Sequence, residues 1–189
     1  MDDGSVMCWG KNNYGQLGTG SMTPAYSGLP LEVKLPIGRF ALSIDAFEDH
    51  ACAVLDDGNM YCWGYKKNGN MGTGDLPIGA AAFTSTPVAV HLPEGKRVSL
   101  MAVGDRHSCA VMTDDSLWCW GLNLYGEIGD GTISSTSQAK TIPVQVDVQY
   151  YSSIVAISTG YGSTCTLHDD GTLNCWGRND FGQVGDGLS

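Results

Sequence analysis

At residues 165–187 the chain reads CTLHDDGTLNCWGRNDFGQVGDG. From Asp169 onward this is one of four copies of a single segment: DDGSVMCWGKNNYGQLGTG at 2–20, DDGNMYCWGYKKNGNMGTG at 56–74, TDDSLWCWGLNLYGEIGDG at 113–131 and DDGTLNCWGRNDFGQVGDG at 169–187. The cysteine before the repeated tryptophan advances from Cys8 to Cys62, Cys119 and Cys175, in steps of 54, 57 and 56 residues. A fixed period of that size marks a repeat architecture, in which each unit buries its faces against its neighbours. A feature present in every copy is suited to holding each unit together and poorly suited to a single catalytic act.

Upstream of the repeated tryptophans, six cysteines form pairs ten residues apart: Cys52 with Cys62, Cys109 with Cys119, and Cys165 with Cys175. Each pair brackets an acidic turn with apolar flanks (CAVLDDGNMYC, CAVMTDDSLWC, CTLHDDGTLNC), which predicts a β-hairpin with a three-residue loop. Closing the last hairpin on Asp169-Asp170-Gly171 sets His168 opposite Thr172, Leu167 opposite Leu173, Thr166 opposite Asn174 and Cys165 opposite Cys175. Gly58 and Gly171 fall where such a loop requires positive φ, and Asp115 takes that place in the third copy. Counting outward from a hydrogen-bonded closing pair makes the cysteines a non-hydrogen-bonded pair, whose shorter Cα separation is within disulfide reach. Three cross-strand disulfides are expected. They imply an extracellular or cell-surface protein, with free thiols in a nuclear or cytosolic protein as the alternative. Each unit supplies too few cysteines for a zinc site, and no C-x₂-C spacing occurs. Cys8 is left unpaired; its mate at the same spacing would fall two residues before Met1. The chain therefore reads as a segment of a longer protein, or as the product of an incomplete gene model.

Residues 84–121 contain PVAVHL at 87–92, VSLMAVG at 98–104, HSCAVM at 107–112 and LWCWG at 117–121, each reading as a strand. VSLMAVG is continuously apolar and is expected to be buried on both faces. The order recurs as PLEVKL, FALSIDAF, HACAVL, NMYCWG and as PVQVDV, SIVAIST, STCTLH, TLNCWG, with Pro30, Pro87 and Pro143 at strand entries. Short antiparallel strands in repeated fours predict an all-β protein: a β-propeller of four-stranded blades, present as a partial ring or arc of about three and a half repeats. One propeller segment covers 1–189, with repeats near 1–20 (partial), 21–74, 75–131 and 132–187. The Gly-rich tails, with Gly15, Gly69, Gly126 and Gly182 in equivalent places, are expected to be the close-packed crossings between blades. Trp9, Trp63, Trp120 and Trp176 are expected to fill the space between blades, and Trp118, outside the repeat pattern, to be more exposed.

The string C-W-G-x-N-x-x-G-Q-L-G-x-G, preceded by x-C-A-V-x-x-D-G, resembles the repeat of the regulator of chromosome condensation family over essentially the whole chain. The resemblance implies a propeller, usually of seven blades, and the paired cysteines are similar to those of secreted or cell-surface members. The family's asparagine is matched by Asn12, Asn123 and Asn179, while the second copy has Lys66. The tail GQLG becomes GNMG at 69–72 and GEIG at 126–129, departures that touch the turn and not the fold. The implied function is a non-catalytic scaffold for protein–protein contact. Guanine-nucleotide exchange on a small GTPase, as in the founding member, and inhibition, as in a bacterial member that blocks β-lactamases, are the alternatives. A photoreceptor of the family senses light through clustered tryptophans, but its GWRHT motif is absent here, so the tryptophans read as packing.

Composition sets the remaining bounds. The net charge is −10 and no basic run occurs, which argues against nucleic acid and admits a basic protein partner. No stretch approaches the ~18 apolar residues of a membrane span. His50 and His107 share a repeat position that Ser163 takes in the next copy, and they read as hydrogen-bonded structural histidines. No unique nucleophile–base trio is present, so no enzyme is expected. The acidic turns are explained by turn chemistry without calcium, and the glycine-rich tails by blade geometry without a nucleotide, so no metal or cofactor is expected. Partner contacts are expected on the inter-strand loops that differ most between units, 21–29, 75–86 and 132–142. Further repeats of the same polypeptide, or self-association, would cover the open edges.

Overall fold

Cys62 and Trp63 are adjacent in a strand, so their side chains leave it on opposite faces, and this alternation organises the packing of the whole molecule. A computed structural model describes residues 4–75, 82–135, 138–146 and 152–187. All of the regular elements among them that form sheets are antiparallel strands. The first sheet pairs β1 (Met7–Lys11) with β2 (Tyr26–Glu32). The second runs β3 (Ala41–Phe47), β4 (His50–Leu55), β5 (Met60–Tyr65), β6 (Phe83–Ala89). The third runs β7 (Val98–Val103), β8 (His107–Met112), β9 (Leu117–Gly121), β10 (Lys140–Gln145). The fourth holds β11 (Ile154–Thr159), β12 (Ser163–His168) and β13 (Leu173–Gly177). These are blades of a partial propeller.

The blades are offset by one strand from the sequence grouping. The PVAVHL strand was expected to open a unit with VSLMAVG, but β6 pairs with the preceding β5 as the outer strand of the second sheet. The outer strands also begin upstream of the prolines. Pro30, Pro87 and Pro143 lie inside β2, β6 and β10, where the pairing with β1, β5 and β9 slips by a bulge. An edge strand tolerates proline at such a bulge, and both features blunt edge-to-edge pairing. Part of the segment read as PVQVDV lies outside the described residues.

The hairpins follow the loop chemistry. Thr166 faces Asn174 and Leu167 faces Leu173, and the His168 N–H donates to the Thr172 carbonyl at 2.9 Å. Gly58, Asp115 and Gly171 have φ of 77°, 64° and 83°. Cys52–Cys62, Cys109–Cys119 and Cys165–Cys175 are disulfides with Cα separations of 4.0, 4.1 and 4.1 Å. Cys8 is free and half-buried. Closing an eleven-residue loop stabilises by about 2–3 kcal/mol through the unfolded chain. Replacing Cys109 and Cys119 together by alanine is expected to lower the unfolding free energy by that amount in urea, with the strands retained.

The cores lie between sheets. The cysteine side of one blade meets the tryptophan side of the next: Cys52, Met60 and Cys62 pack with Met112 and Trp120, and Cys109, Val111 and Cys119 with Ile128 and Trp176. Val6 and Val33 pack with Leu55 and Trp63. Each indole also donates to a carbonyl of the preceding tail: Trp63 to Gln16 at 3.0 Å, Trp120 to Asn70 at 2.8 Å, Trp176 to Glu127 at 3.0 Å. The glycine two residues further on makes room. A Cβ on Gly72 would stand 2.9 Å from the Trp120 Nε1 and 2.8 Å from Val90, at a φ of +65° that already disfavours side chains. Trp63 and Trp120 are fully buried, whereas Trp9, onto which no tail docks among the described residues, is 64% exposed.

Trp118 is more exposed than the fully buried Trp63 and Trp120, though half-buried on the core between the second and third blades, with its Nε1 donating to Ser116 Oγ at 3.0 Å. β7 is covered on both faces, with Met101 packed on the core between the second and third blades and Leu100 on that between the third and fourth; Ser99, at the bulge between Val98 and Leu100, is its exposed residue.

Candidate interaction surface

One end of the blades gathers the β3–β4 and β7–β8 turns and the Gly-rich tails. His50 pairs with Gly64 and Tyr65 with Phe83, so the β3–β4 turn, the tail after β5 and the start of β6 share that end. The same holds for β7–β8 with β9 and β10. The described parts of the segments 21–29, 75–86 and 132–142 are carried there too; residues 76–81 and 136–137 lie outside the described residues. The acidic hairpins at 56–58, 113–115 and 169–171 point to the opposite end.

The frame under this surface is set by close approach. A Cβ on Gly121 would lie 2.3 Å from the Arg106 carbonyl, so the tail leaves its strand directly beneath the β7–β8 turn. In the tails, Asn12, Asn123 and Asn179 accept the N–H of Leu17, Ile128 and Val184 at 3.2, 3.1 and 3.1 Å, which pins the loop. In the second copy Asn70 substitutes, taking the Lys67 N–H at 3.0 Å, while Lys66 pairs with Asp75 at 2.8 Å. Gly15, Gly69, Gly126 and Gly182 have φ between 75° and 79°, at the turn of each tail.

On that frame stand charged and aromatic side chains from all four blades. The Tyr161 hydroxyl donates to Glu48, which pushes the tyrosine pKa up, and its ring meets Phe47 edge-on at 5.2 Å. Arg106 pairs with Asp105 at 2.8 Å, yet burial still raises the Asp105 pKa. Arg178 lies over the rings of Tyr125 and Phe181, at 5.2 and 5.8 Å, and pairs with Asp180 at 2.7 Å. Tyr14 stacks on Tyr65 at 4.5 Å, with Lys11 and Lys67 over their rings.

Three recesses open between these groups, one at each blade junction. The first, of about 280 Å³, includes Cys8, Trp9, Lys11, Gln16, Glu48 and His50 in its lining. The second, of about 100 Å³, includes His50, Tyr65, Lys67, Asp105 and Arg106. The third, of about 210 Å³, includes Glu48, Asp105, Arg106, Tyr125, Glu127, Tyr161 and Arg178. Their floors are buried polar contacts. His107 Nε2 lies 2.9 Å from Thr164 Oγ1, which donates to the Glu127 carbonyl at 2.9 Å. Since the threonine's one proton goes to that carbonyl, the histidine proton sits on Nε2. His50 departs from the expected hydrogen-bonded role: its buried Nε2 has no partner among the described residues. Desolvation lowers the pKa of both rings to about 4.

The sequence pointed to the variable loops but not to Glu48, Asp105, Arg106, Tyr125, Glu127, Tyr161 or Arg178. The signal was the pair of residues before each H-x-C or S-x-C triplet, which changes from Glu48-Asp49 to Asp105-Arg106 to Tyr161-Gly162 against a constant frame. Mixed charge with tyrosine and arginine is the composition of protein-docking surfaces. Among the described residues no group of histidine, cysteine or acidic side chains is arranged to hold a metal ion.

The pattern described as the regulator of chromosome condensation (RCC1) repeat matches residues 3–54, 57–111 and 114–167, and a second form of it matches 98–127 and 154–183. The ultraviolet-B receptor UVR8 of Arabidopsis thaliana is 34% identical over 185 residues, covering 98% of this chain and 40% of its own length. The E3 ubiquitin-protein ligase HERC2 of Homo sapiens is 28% identical over 189 residues, which is 4% of its length. The chain thus spans two fifths or less of these relatives. Among solved structures, yeast RCC1 (Prp20) bound to Kap60 superposes with a TM-score of 0.81 at 22% identity, over 98% of this chain and 42% of that one. Human WBSCR16 gives 0.75 at 23% identity, over 91% and 42%. These likenesses establish the propeller fold.

Proposed function

Because the chain belongs to the regulator of chromosome condensation repeat family, we propose that it is a non-catalytic protein-interaction module whose docking surface is the end carrying Glu48, Asp105, Arg106, Tyr125 and Tyr161. The observation that carries this reading is the division of the repeat into two parts. Tryptophans, cysteines and glycines are constant and spent on blade packing, while turns and tails at one end vary and carry exposed aromatics: Tyr125 is 41% exposed, Tyr161 61% and Phe181 82%. Binding groups on variable connections over a rigid scaffold are the usual division of labour.

The partner is a protein with a basic or mixed-charge surface, given the net charge of −10. The three disulfides support action outside the cell or on its surface. Exchange on a GTPase is the less favoured reading, since it calls for a reducing compartment. The test is cross-linking mass spectrometry on the natural source material, comparing the chain with a Glu48→Ala, Tyr161→Ala variant. Inter-protein cross-links are expected at this end and are expected to fall at least tenfold in the variant. Cross-links confined to the 56–58, 113–115 and 169–171 hairpins would remove the surface from consideration.

A further inference from the structure

Glu127 is the one carboxylate at a tail position where the other three copies carry amides, Gln16, Asn70 and Gln183. The turn does not call for the charge. Gln16 accepts the Tyr14 N–H at 2.9 Å and Gln183 the Phe181 N–H at 2.8 Å, and Glu127 makes the same bond to the Tyr125 N–H at 2.7 Å. Yet Glu127 is 2% exposed, a costly place for an ion that an amide would fill as well. Burial accordingly pushes its pKa up, and none of the ion pairs among the described residues includes it.

We propose that the cleft between the third and fourth blades seats the cationic side chain of a lysine or arginine on a partner protein, with Glu127 as the buried carboxylate that receives it. Three carboxyl groups line the cleft, Glu48, Asp105 and Glu127, against two guanidinium groups. Both arginines are already engaged, Arg106 with Asp105 at 2.8 Å and Arg178 with Asp180 at 2.7 Å. One added cation balances the lining, and the Tyr161 ring beside Glu48 suits a cation on a long apolar stem, the Tyr125 ring being already covered by Arg178. At about 210 Å³ the cleft falls below the ~300 Å³ at which small-molecule pockets begin, and fits a single long side chain.

A second observation points to the same occupant. The adjoining recess shares Glu48, Asp105 and Arg106 with the cleft and is walled by His50, which is 3% exposed and whose Nε2 has no hydrogen-bond partner among the described residues. A partner segment that places its basic side chain at Glu127 continues across Arg106, over the recess that His50 walls.

This inference rests on the docking-surface reading and has its own test. Acetyl-Gly-Gly-Lys-Gly-Gly-amide, its arginine counterpart and its norleucine counterpart are titrated into ¹⁵N-labelled chain. The lysine or arginine peptide is expected to shift the amides of Tyr125, Glu127 and Tyr161, the norleucine peptide to leave them still, and Glu127→Gln to weaken the basic peptide at least tenfold. Glu127→Gln is expected to unfold at a urea midpoint no lower than the parent's, because glutamine makes the turn bond in two other copies and buries no charge. Equal shifts from norleucine, no shifts from either basic peptide, or undiminished binding to Glu127→Gln would overturn the cleft. Those results leave the cross-linking pattern untouched, so the two readings fail separately.

Discussion

Trp120→Ala is expected to destabilise the chain by about 3–5 kcal/mol, the range for truncating a fully buried large aromatic, while Trp9→Ala, at the same repeat position, is expected to change stability by less than about 0.5 kcal/mol. The two differ only in what surrounds them. Trp120 is wholly buried between the second and third blades, against Cys52, Cys62 and Met71. Its ring also fills the space that Gly72 leaves by lacking a Cβ. Alanine would open a cavity that the two sheets cannot collapse into, since disulfides and pinned tails hold both walls. The hydrogen-bond share of the loss is small: the Asn70 carbonyl that receives the indole N–H at 2.8 Å also receives Ser108 Oγ at 3.1 Å, so it keeps a partner. Trp120→Phe is therefore expected to recover more than half of the lost stability. Urea unfolding followed by circular dichroism distinguishes the outcomes. Equal costs at positions 9 and 120 would mean that the tryptophans stabilise their own hairpins and not the blade junctions.

How much of this was legible from the residues depends on the range of the interaction. The hairpins were readable in full because everything that sets them is local: a three-residue loop, a glycine or aspartate able to take positive φ, and a side-chain period of two that carries the register outward to the cysteines. The phase of the blade was not. Eight residues lie between Ala89 and Val98, whereas seventeen lie between Tyr65 and Phe83, so the shorter link is the natural one to keep within a sheet. The structure does the reverse. The Gly-rich tail leaves β5, packs on the next blade's tryptophan and edge strand, and returns to pair β6 with its own sheet: the Gly74 N–H reaches the Thr141 carbonyl of β10 at 2.8 Å. A repeating sequence fixes the period but is silent on where a unit begins.

The surface was half legible for a related reason. Loop variability is visible in the letters, but the meeting of Glu48 with Tyr161, 113 residues apart, follows from the stagger of three blades. Glu127 looked like an ordinary variant of the GQLG turn until its burial was known. The constant residues gave the architecture, and the chemistry lies where the copies disagree.

The same buried floor makes the chain acid-sensitive. Burial lowers the pKa of His50 and of His107 from the ordinary 6.5 to about 4, with Asp49 partly offsetting the effect at His50 and His50 adding to it at His107. In the unfolded chain both rings take up protons near pH 6.5; in the folded chain they resist until about pH 4. The native state therefore holds its full margin above pH 6.5 and loses it progressively down to about pH 4, by about 3 kcal/mol per ring. Asp114, held at about 2 by Lys96 and Ser116, adds in the same direction only below the ordinary aspartate range. Glu127 and Asp105, whose pKa values burial raises, oppose the loss near the carboxylate range. The expected profile is a steep fall in urea-unfolding free energy between pH 6.5 and 4.5 that flattens as these carboxyls protonate. His50→Gln removes one ring's titration while keeping a side chain that can hydrogen-bond, so its profile is expected to fall by about 2 kcal/mol less over that window. A parent chain equally stable at pH 7 and pH 4.5 would show that the rings are hydrated in the folded state and that the blade junctions are not sealed.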